Sequence, residues 1–497
     1  MQTWMEGYES DIEYTAGYYR EQEPNFLSLC AVTHGIQTIN LEKPFTYLEL
    51  GCGYGMTSLI MAANYPHAQF IAVDFNPTHI AQAQNLATEA GLTNITFLER
   101  SFAQLNAEPL FLPECDFIAL HGIFTWVSDE NRQHIVDICE HHLKAGGIVY
   151  NSYNAKPGWS MAEPIQKLLY ATSKQFSGSS LERFDKAVKL IQQLQAAKPR
   201  FFATNENVIQ KRLDGLIAKD RHYLVHEYLH EGWRAFYFTE IAQWLRQAKL
   251  EFIGGAAATD ALARTQLAPT TNQLLAHIQD NDTRELYLDI MQNTIFRRDI
   301  FTRGAVGHLD NSARLRWFND SQWMLAKPAR FDDAAFNFKP ALPKDLYRSL
   351  VDHLSAGVCT FSTLTNGNNR RDTMNALLQL YQANMVTPYY ANVNKVAARF
   401  NQTLIKHNQS LIALPHARSS LRLKPFEAQF YAMALQLKTQ EASRLAQAVF
   451  QDLESKQMTI NHKGETLKGT PMKNHLINLA NKWHSEILPL LKQGGAI

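Results

Sequence analysis

The stretch ELGCGYG (49–55) sets Gly51, Gly53 and Gly55 directly behind a carboxylate, Glu49. Glycine lets a turn pass with no side chain in the way, so a ligand can lie against the main chain. A helix opening just after that turn points unpaired N–H groups at an anion. Glu49 would attract an ammonium at the same place. Further on, Asp74 ends an apolar run, where a carboxylate can accept hydrogen bonds from both hydroxyls of a ribose. Phe75 beside it can pack on a base. A ligand with ammonium, carboxylate, ribose and base is a nucleoside bearing an amino acid, and S-adenosyl-L-methionine fits. The rival is a nicotinamide dinucleotide, whose fingerprint is GxGxxG. Here the spacing is GxGxG, with Met56 at the sixth position. Glu49 would also repel a pyrophosphate. The plainer alternative is that the glycines only permit a tight turn and Asp74 only caps a helix.

Methyl transfer from a sulfonium is an in-line displacement in which positive charge moves to the acceptor. Little net charge is created, so proximity and alignment supply most of the acceleration, about 7 kcal/mol in good cases. A lysine acceptor must first lose its proton, through an apolar aromatic pocket or a base. The residues expected near the methyl are His121, Gly122, Phe124 and Trp126, then Tyr153, Asn154 and Trp159. Of these, His121, Trp126, Tyr153 and Asn154 are the candidates for orienting the methyl and its acceptor. Tyr18, Tyr19, Tyr223, His226 and Tyr228 are further candidates. Each has a structural alternative: the tryptophans as packing, the histidines as buried hydrogen-bonding groups, the N-terminal tyrosines as anchors of a covering helix. FRRDIFTR (296–303) reads as a solvated helix face, not a nucleic-acid patch.

These residues need strands to present them. FTYLEL (45–50), QFIAVDF (69–75), ITFL (95–98), DFIALH (116–121) and GIVYNSY (147–153) are short and nearly all apolar. Such runs suit parallel strands covered on both faces. Between them Met56, Leu59, Ile60 and Ala63 share a helix face. A second helix starts with Asn76 as N-cap and Pro77 behind it. A third starts at Ser128 and is expected to stop at Gly146-Gly147. The alternation predicts a doubly wound, Rossmann-like α/β sheet. A helical insertion follows at about 160–220, then a helix–strand pair at 239–256 that could complete the sheet. The expected domains are 1–260 with the insertion, a helical middle region 261–340, and a helical C-terminal domain 341–497, winged-helix-like around 345–420.

LELGCGYG (48–55), AVDFNPTHIAQAQ (72–84), ALHGIFTWV (119–127) and VYNSYNAKPGW (149–159) together resemble bacterial class I methyltransferases that carry a methyltransferase regulatory domain. YLVHEYLHEGWRAFYFTEIAQWL (223–245) resembles the start of that domain, and DIEYTAGYYREQEPNF (11–26) a subgroup of the family. The family includes rickettsial protein lysine methyltransferases. The resemblance covers about residues 10–260 and implies S-adenosyl-L-methionine as cofactor and helical domains behind the catalytic one. It also marks a departure. Many relatives hold the adenine amino group with an Asp after the third strand, where this chain has Ser101. A hydroxyl accepts without the charge, so adenine recognition is expected to be weaker or shared with the backbone of Phe102.

Bulk properties narrow the class. At 497 residues the chain needs more than one core. Lys+Arg (48) balances Asp+Glu (47), so no global field calls for nucleic acid or an anionic membrane. The five cysteines form no CxxC pair, which speaks against zinc and for a reducing cytoplasm. No metal site and no spanning helix are expected, and oligomeric state stays open. Three functions compete: methylation of a protein side chain, most plausibly lysine; methylation of a small molecule or glycan; and a degenerate fold used as a binding module.

Overall fold

The five expected strands form as β1 (Thr46–Leu50), β2 (Gln69–Asp74), β3 (Ile95–Glu99), β4 (Cys115–His121) and β5 (Leu143–Asn154). The structure is a computed structural model that describes residues 17–218, 221–304, 307–328, 340–391 and 395–497. The third helix differs from expectation. It spans Asp129–His142, capped at Ser128, and Leu143 already pairs with Cys115 of β4. The glycine pair at 146–147 therefore lies inside the long β5. Strand pairing of Leu143 overrides a stop signal that the glycines alone would place later.

β6 (Leu250–Gly255) and β7 (Phe296–Arg303) extend the sheet to seven strands, in the order β3-β2-β1-β4-β5-β7-β6. β4 runs parallel to β1 and β5, and β7 runs antiparallel to β5 and β6. Strand order reverses between β1 and β4, which opens a crevice at their carboxyl ends. The period of two in a strand splits the faces of β1. Leu48 and Leu50 join a core with Ile118, Leu120, Ile135, Ile138, Ile241 and Leu245. Tyr47 turns the other way and packs against Phe70 and Phe117.

β7 corrects the reading of FRRDIFTR as a solvated helix face. Arg297, Asp299, Ile300, Phe301 and Thr302 are all buried. The charges are paired, not solvated: Arg297 reaches Asp299 Oδ2 (2.9 Å), Asp289 Oδ1 (2.8 Å) and Glu285 Oε2 (3.0 Å). Asp289 and Glu285 come from the helix Asn281–Gln292, so the arginine fastens that helix to the sheet. A buried charge is tolerated when several partners satisfy it.

The insertion forms helices Glu163–Ser173, Ser180–Ala196, Arg200–Thr204, Glu206–Ala218 and Arg221–Tyr228. Its core gathers Trp159, Leu169, Phe184, Ile191, Leu224 and Trp233. The chain divides into two units. The first runs to Thr57 and continues through Phe70–Ala83 and Thr96–His308, while the second comprises Ser58–Gln69, Gln84–Ile95 and Leu309–Ile497. Within the second unit, helices Lys344–Ala356 and Arg370–Gln382 accompany a three-stranded sheet. Its central strand, Gln322–Leu325, comes from upstream of those helices. A separate helical core contains Phe430, Leu445, Val449, Leu476 and Trp483.

Removing the cation of the buried cluster leaves three carboxylates together. Arg297→Met should lower unfolding free energy by about 3–5 kcal/mol, read as a fall in the urea midpoint. A change under about 1 kcal/mol would mean that the cluster is solvent-screened.

Candidate active site

The turn after β1 is shaped by backbone conformations that favour glycine. Gly51 has φ +74° and Gly53 φ +54°. A Cβ on Gly51 would lie 2.2 Å from Ile123 Cδ1, whereas one on Gly53 would meet nothing within 4 Å. Gly51 thus lets Ile123 pack close, and Gly53 faces open space. The turn is tied to the end of β2: Gly51 N and Cys52 N donate to Val73 O (2.8 and 2.9 Å), and Gly53 N donates to Asp74 Oδ2 (2.8 Å). Asp74 Oδ1 accepts from Asn76 N (2.9 Å) and lies 3.4 Å from His79 Nδ1.

These groups line one cavity, with Glu49, Phe75, Arg100, Ser101 and Phe102 along the same wall. Glu49 is buried. Ser101 also caps a short helix: its Oγ accepts from Gln104 N (3.2 Å), and Gln104 Oε1 accepts from Ser101 N (2.9 Å). The hydroxyl therefore has a structural task besides facing the cavity.

The lining also has an aromatic part. Tyr19, His121, Trp126, His226 and His230 belong to it. The Tyr19 ring stacks on His121 at 3.7 Å, and Tyr19 N donates to Thr57 Oγ1 (3.2 Å), which pins this segment to the sheet-flanking helix Met56–Asn64. His121 Nδ1 lies 2.8 Å from Tyr150 Oη and 3.3 Å from Ser152 Oγ. Burial pushes the Tyr150 phenol well above its ordinary value and pulls His121 down to about 3. The phenol and the imidazole therefore share a hydrogen bond between two uncharged groups. Burial also pulls His230 down to about 3. Both rings are neutral at neutral pH.

Two expected site residues lie elsewhere. Tyr153 and Asn154 are not among the cavity-lining residues. Tyr153 donates to Asp299 Oδ2 (2.6 Å) beside Arg297. Asn154 Nδ2 donates to Glu227 Oε1 (2.9 Å), whose Oε2 accepts from Tyr223 Oη (3.0 Å). The alternation of β5 sends Tyr150 and Ser152 to His121, a pairing the sequence did not single out. Trp159, Phe124 and Tyr228 belong to hydrophobic cores.

Two family models match the chain: "Methyltransferase domain" over residues 48–147 and "Predicted methyltransferase regulatory domain" over 220–303. An uncharacterized protein of Synechocystis is 35% identical over 99% of both chains. One from Rickettsia prowazekii is 28% identical over 58% of this chain and 51% of its own. Among solved structures, PKMT2 from Rickettsia typhi in complex with AdoHcy is similar, with TM-score 0.74 and 18% identity over 97% of this chain and 99% of that one.

The chain belongs to the class I S-adenosylmethionine-dependent methyltransferases that carry a regulatory domain.

The residues present fit that cofactor. A Cβ-free surface at Gly53 opens beside a buried carboxylate, Glu49, and a second carboxylate, Asp74, ends the adjoining strand. In the methyltransferase Glu49 and the Gly51–Gly53 turn are suited to the amino-acid half. Asp74 is suited to the ribose, and Phe75, Ser101 and Phe102 to the base. S-adenosylmethionine supplies an electrophilic methyl on a sulfonium. Sequence reasoning missed Gln22, His79, Arg100 and Asn131, which also line the cavity. They stand outside the glycine motif, and no spacing rule points to them.

Asp74 orders the turn and is suited to meet a ribose. Asp74→Ala should raise the dissociation constant for S-adenosylhomocysteine about tenfold or more by calorimetry, a charge-assisted hydrogen bond being worth about 1.5–3 kcal/mol. Unchanged affinity would remove Asp74 from the site. The depressed histidines also set a pH response. An unfolded histidine titrates near 6.5. Between pH 6.5 and 3 the unfolded chain therefore binds more protons, and stability falls as pH falls through that window. His121→Gln and His230→Gln should each lose less of the urea midpoint than wild type between pH 7 and 5. Equal or steeper loss in the variants would contradict neutral burial.

Proposed function

We propose that this methyltransferase transfers the methyl group to a protein side chain, and that the acceptor is a lysine amine. The observation that carries the proposal is the aromatic part of the cavity lining, where Tyr19, His121 and Trp126 line the wall and His121 is neutral. Aromatic faces attract an ammonium or a sulfonium. A low-dielectric wall also favours the neutral amine, which is the form with a lone pair. His121 and Trp126 orient the methyl and its acceptor in this proposal. Tyr153 and Asn154 act from behind, through Asp299 and Glu227.

Support for a protein acceptor comes from the sequence resemblance to rickettsial protein lysine methyltransferases and from the whole-length likeness in fold to PKMT2. Gripping a macromolecule buries roughly 800 Å² on each partner, and the second unit offers helical surface for it. Among the described residues no helix is long and apolar enough to cross a membrane. All five cysteines are free thiols, in keeping with a reducing cytoplasm as the place of reaction.

Tritiated cofactor incubated with the enzyme and a lysate of its own source tests this. Label should appear on protein bands and, after acid hydrolysis, in methylated lysine. Label confined to small molecules or glycan would sink the proposal, and label on protein but in another amino acid would sink the lysine acceptor.

A further inference from the structure

Gln22 stands out among the cavity-lining residues that sequence reasoning passed over. It ends the short 3-10 turn Arg20–Gln22, its side chain is buried, and it lines the cavity. Among the described residues neither Nε2 nor Oε1 has a hydrogen-bond partner. Buried side-chain amides are rarely left unsatisfied, because burial without a partner forfeits the bonds that water would make. An apolar residue of the same length would fill the space at lower cost, so an amide retained here implies a partner that arrives.

The main chain fixes where the amide sits. Tyr47 Oη donates to Gln22 O (2.9 Å), and Gln22 N donates to Tyr19 O (3.1 Å). Tyr47 and Glu49 are two apart on β1 and share a face. The contact with Tyr47 therefore seats Gln22 over the face of the sheet that carries Glu49, and both residues line the cavity. We propose that the Gln22 side chain binds the amino-acid half of S-adenosylmethionine, Nε2 donating to its carboxylate and Oε1 accepting from its ammonium. A carboxylate alone, as in Glu49, answers only the cation of that zwitterion. An amide answers both ends.

The inference rests on the cofactor assignment of this cavity, and two ligands separate the two ideas. S-adenosylhomocysteine carries the amino-acid half, and 5′-methylthioadenosine lacks it. Calorimetry on full-length Gln22→Met should show the dissociation constant for S-adenosylhomocysteine raised about tenfold or more. Affinity for 5′-methylthioadenosine should stay within about twofold of wild type. The melting temperature of the ligand-free variant should not fall, because the lost polar atoms had no partner. Undiminished S-adenosylhomocysteine binding overturns the proposal. So does equal weakening of both ligands, or a lower ligand-free melting temperature without selective loss, since each is what a merely structural side chain would give. Wild-type protein that bound neither ligand would overturn the cofactor assignment itself. Should the Met variant fail to fold, Gln22→Asn withdraws the same amide by one carbon and should show the same selectivity.

Discussion

The carboxylate of Asp74 holds the turn on which the site depends. One oxygen accepts from Gly53 N and the other from Asn76 N. A turn in the left-handed region is entropically costly for a free chain, and here it is secured from the end of the neighbouring strand. The arrangement keeps Gly53 facing open space and presents the strand ends β1 and β2 as one surface. The same carboxylate retains lone pairs and lines the cavity, so the group that orders the turn is also suited to a sugar.

Away from that anchor the cavity changes character. Part of its lining carries the carboxylates of Glu49 and Asp74, and part is built of rings. Tyr19 stacks on His121, Tyr150 shares a hydrogen bond with it, and desolvation keeps His121 and Tyr150 uncharged. An imidazole that resists protonation down to about 3 is a weak base. It is better suited to donating a hydrogen bond and shaping the path of attack than to removing a proton. A displacement that moves charge without creating it asks for this kind of alignment.

The long strand β5 ties this lining to the rest of the first unit. One of its faces gives Tyr150 and Ser152 to His121, and the other gives Tyr153 to the Arg297 cluster. That cluster joins β7 to the helix Asn281–Gln292, within the segment matched by the regulatory-domain model. The regulatory segment therefore contributes two strands, β6 and β7, to the seven-stranded sheet. Through Glu227, which accepts from Asn154, it also supports the end of β5.

Local signals were enough for the nucleotide half of this protein. Glycine spacing, a carboxylate at each of two strand ends, Asn76 and Ser128 as caps, and runs of apolar residues act over a few positions. They made β1 to β5 and the cofactor wall from Glu49 to Phe102 legible. The tertiary structure decided what depends on distant partners. FRRDIFTR looks solvated until Glu285 and Asp289 meet Arg297 and allow it to be a buried strand. Tyr153 and Asn154 look alike in the sequence until Asp299 takes the hydroxyl of one and Glu227 the amide of the other, outside the cavity lining. Gln22 looks like one polar residue among several until Tyr47 holds its main chain over the face that carries Glu49. Burial and pairing are properties of the folded surroundings, and no count of residue types along the chain contains them.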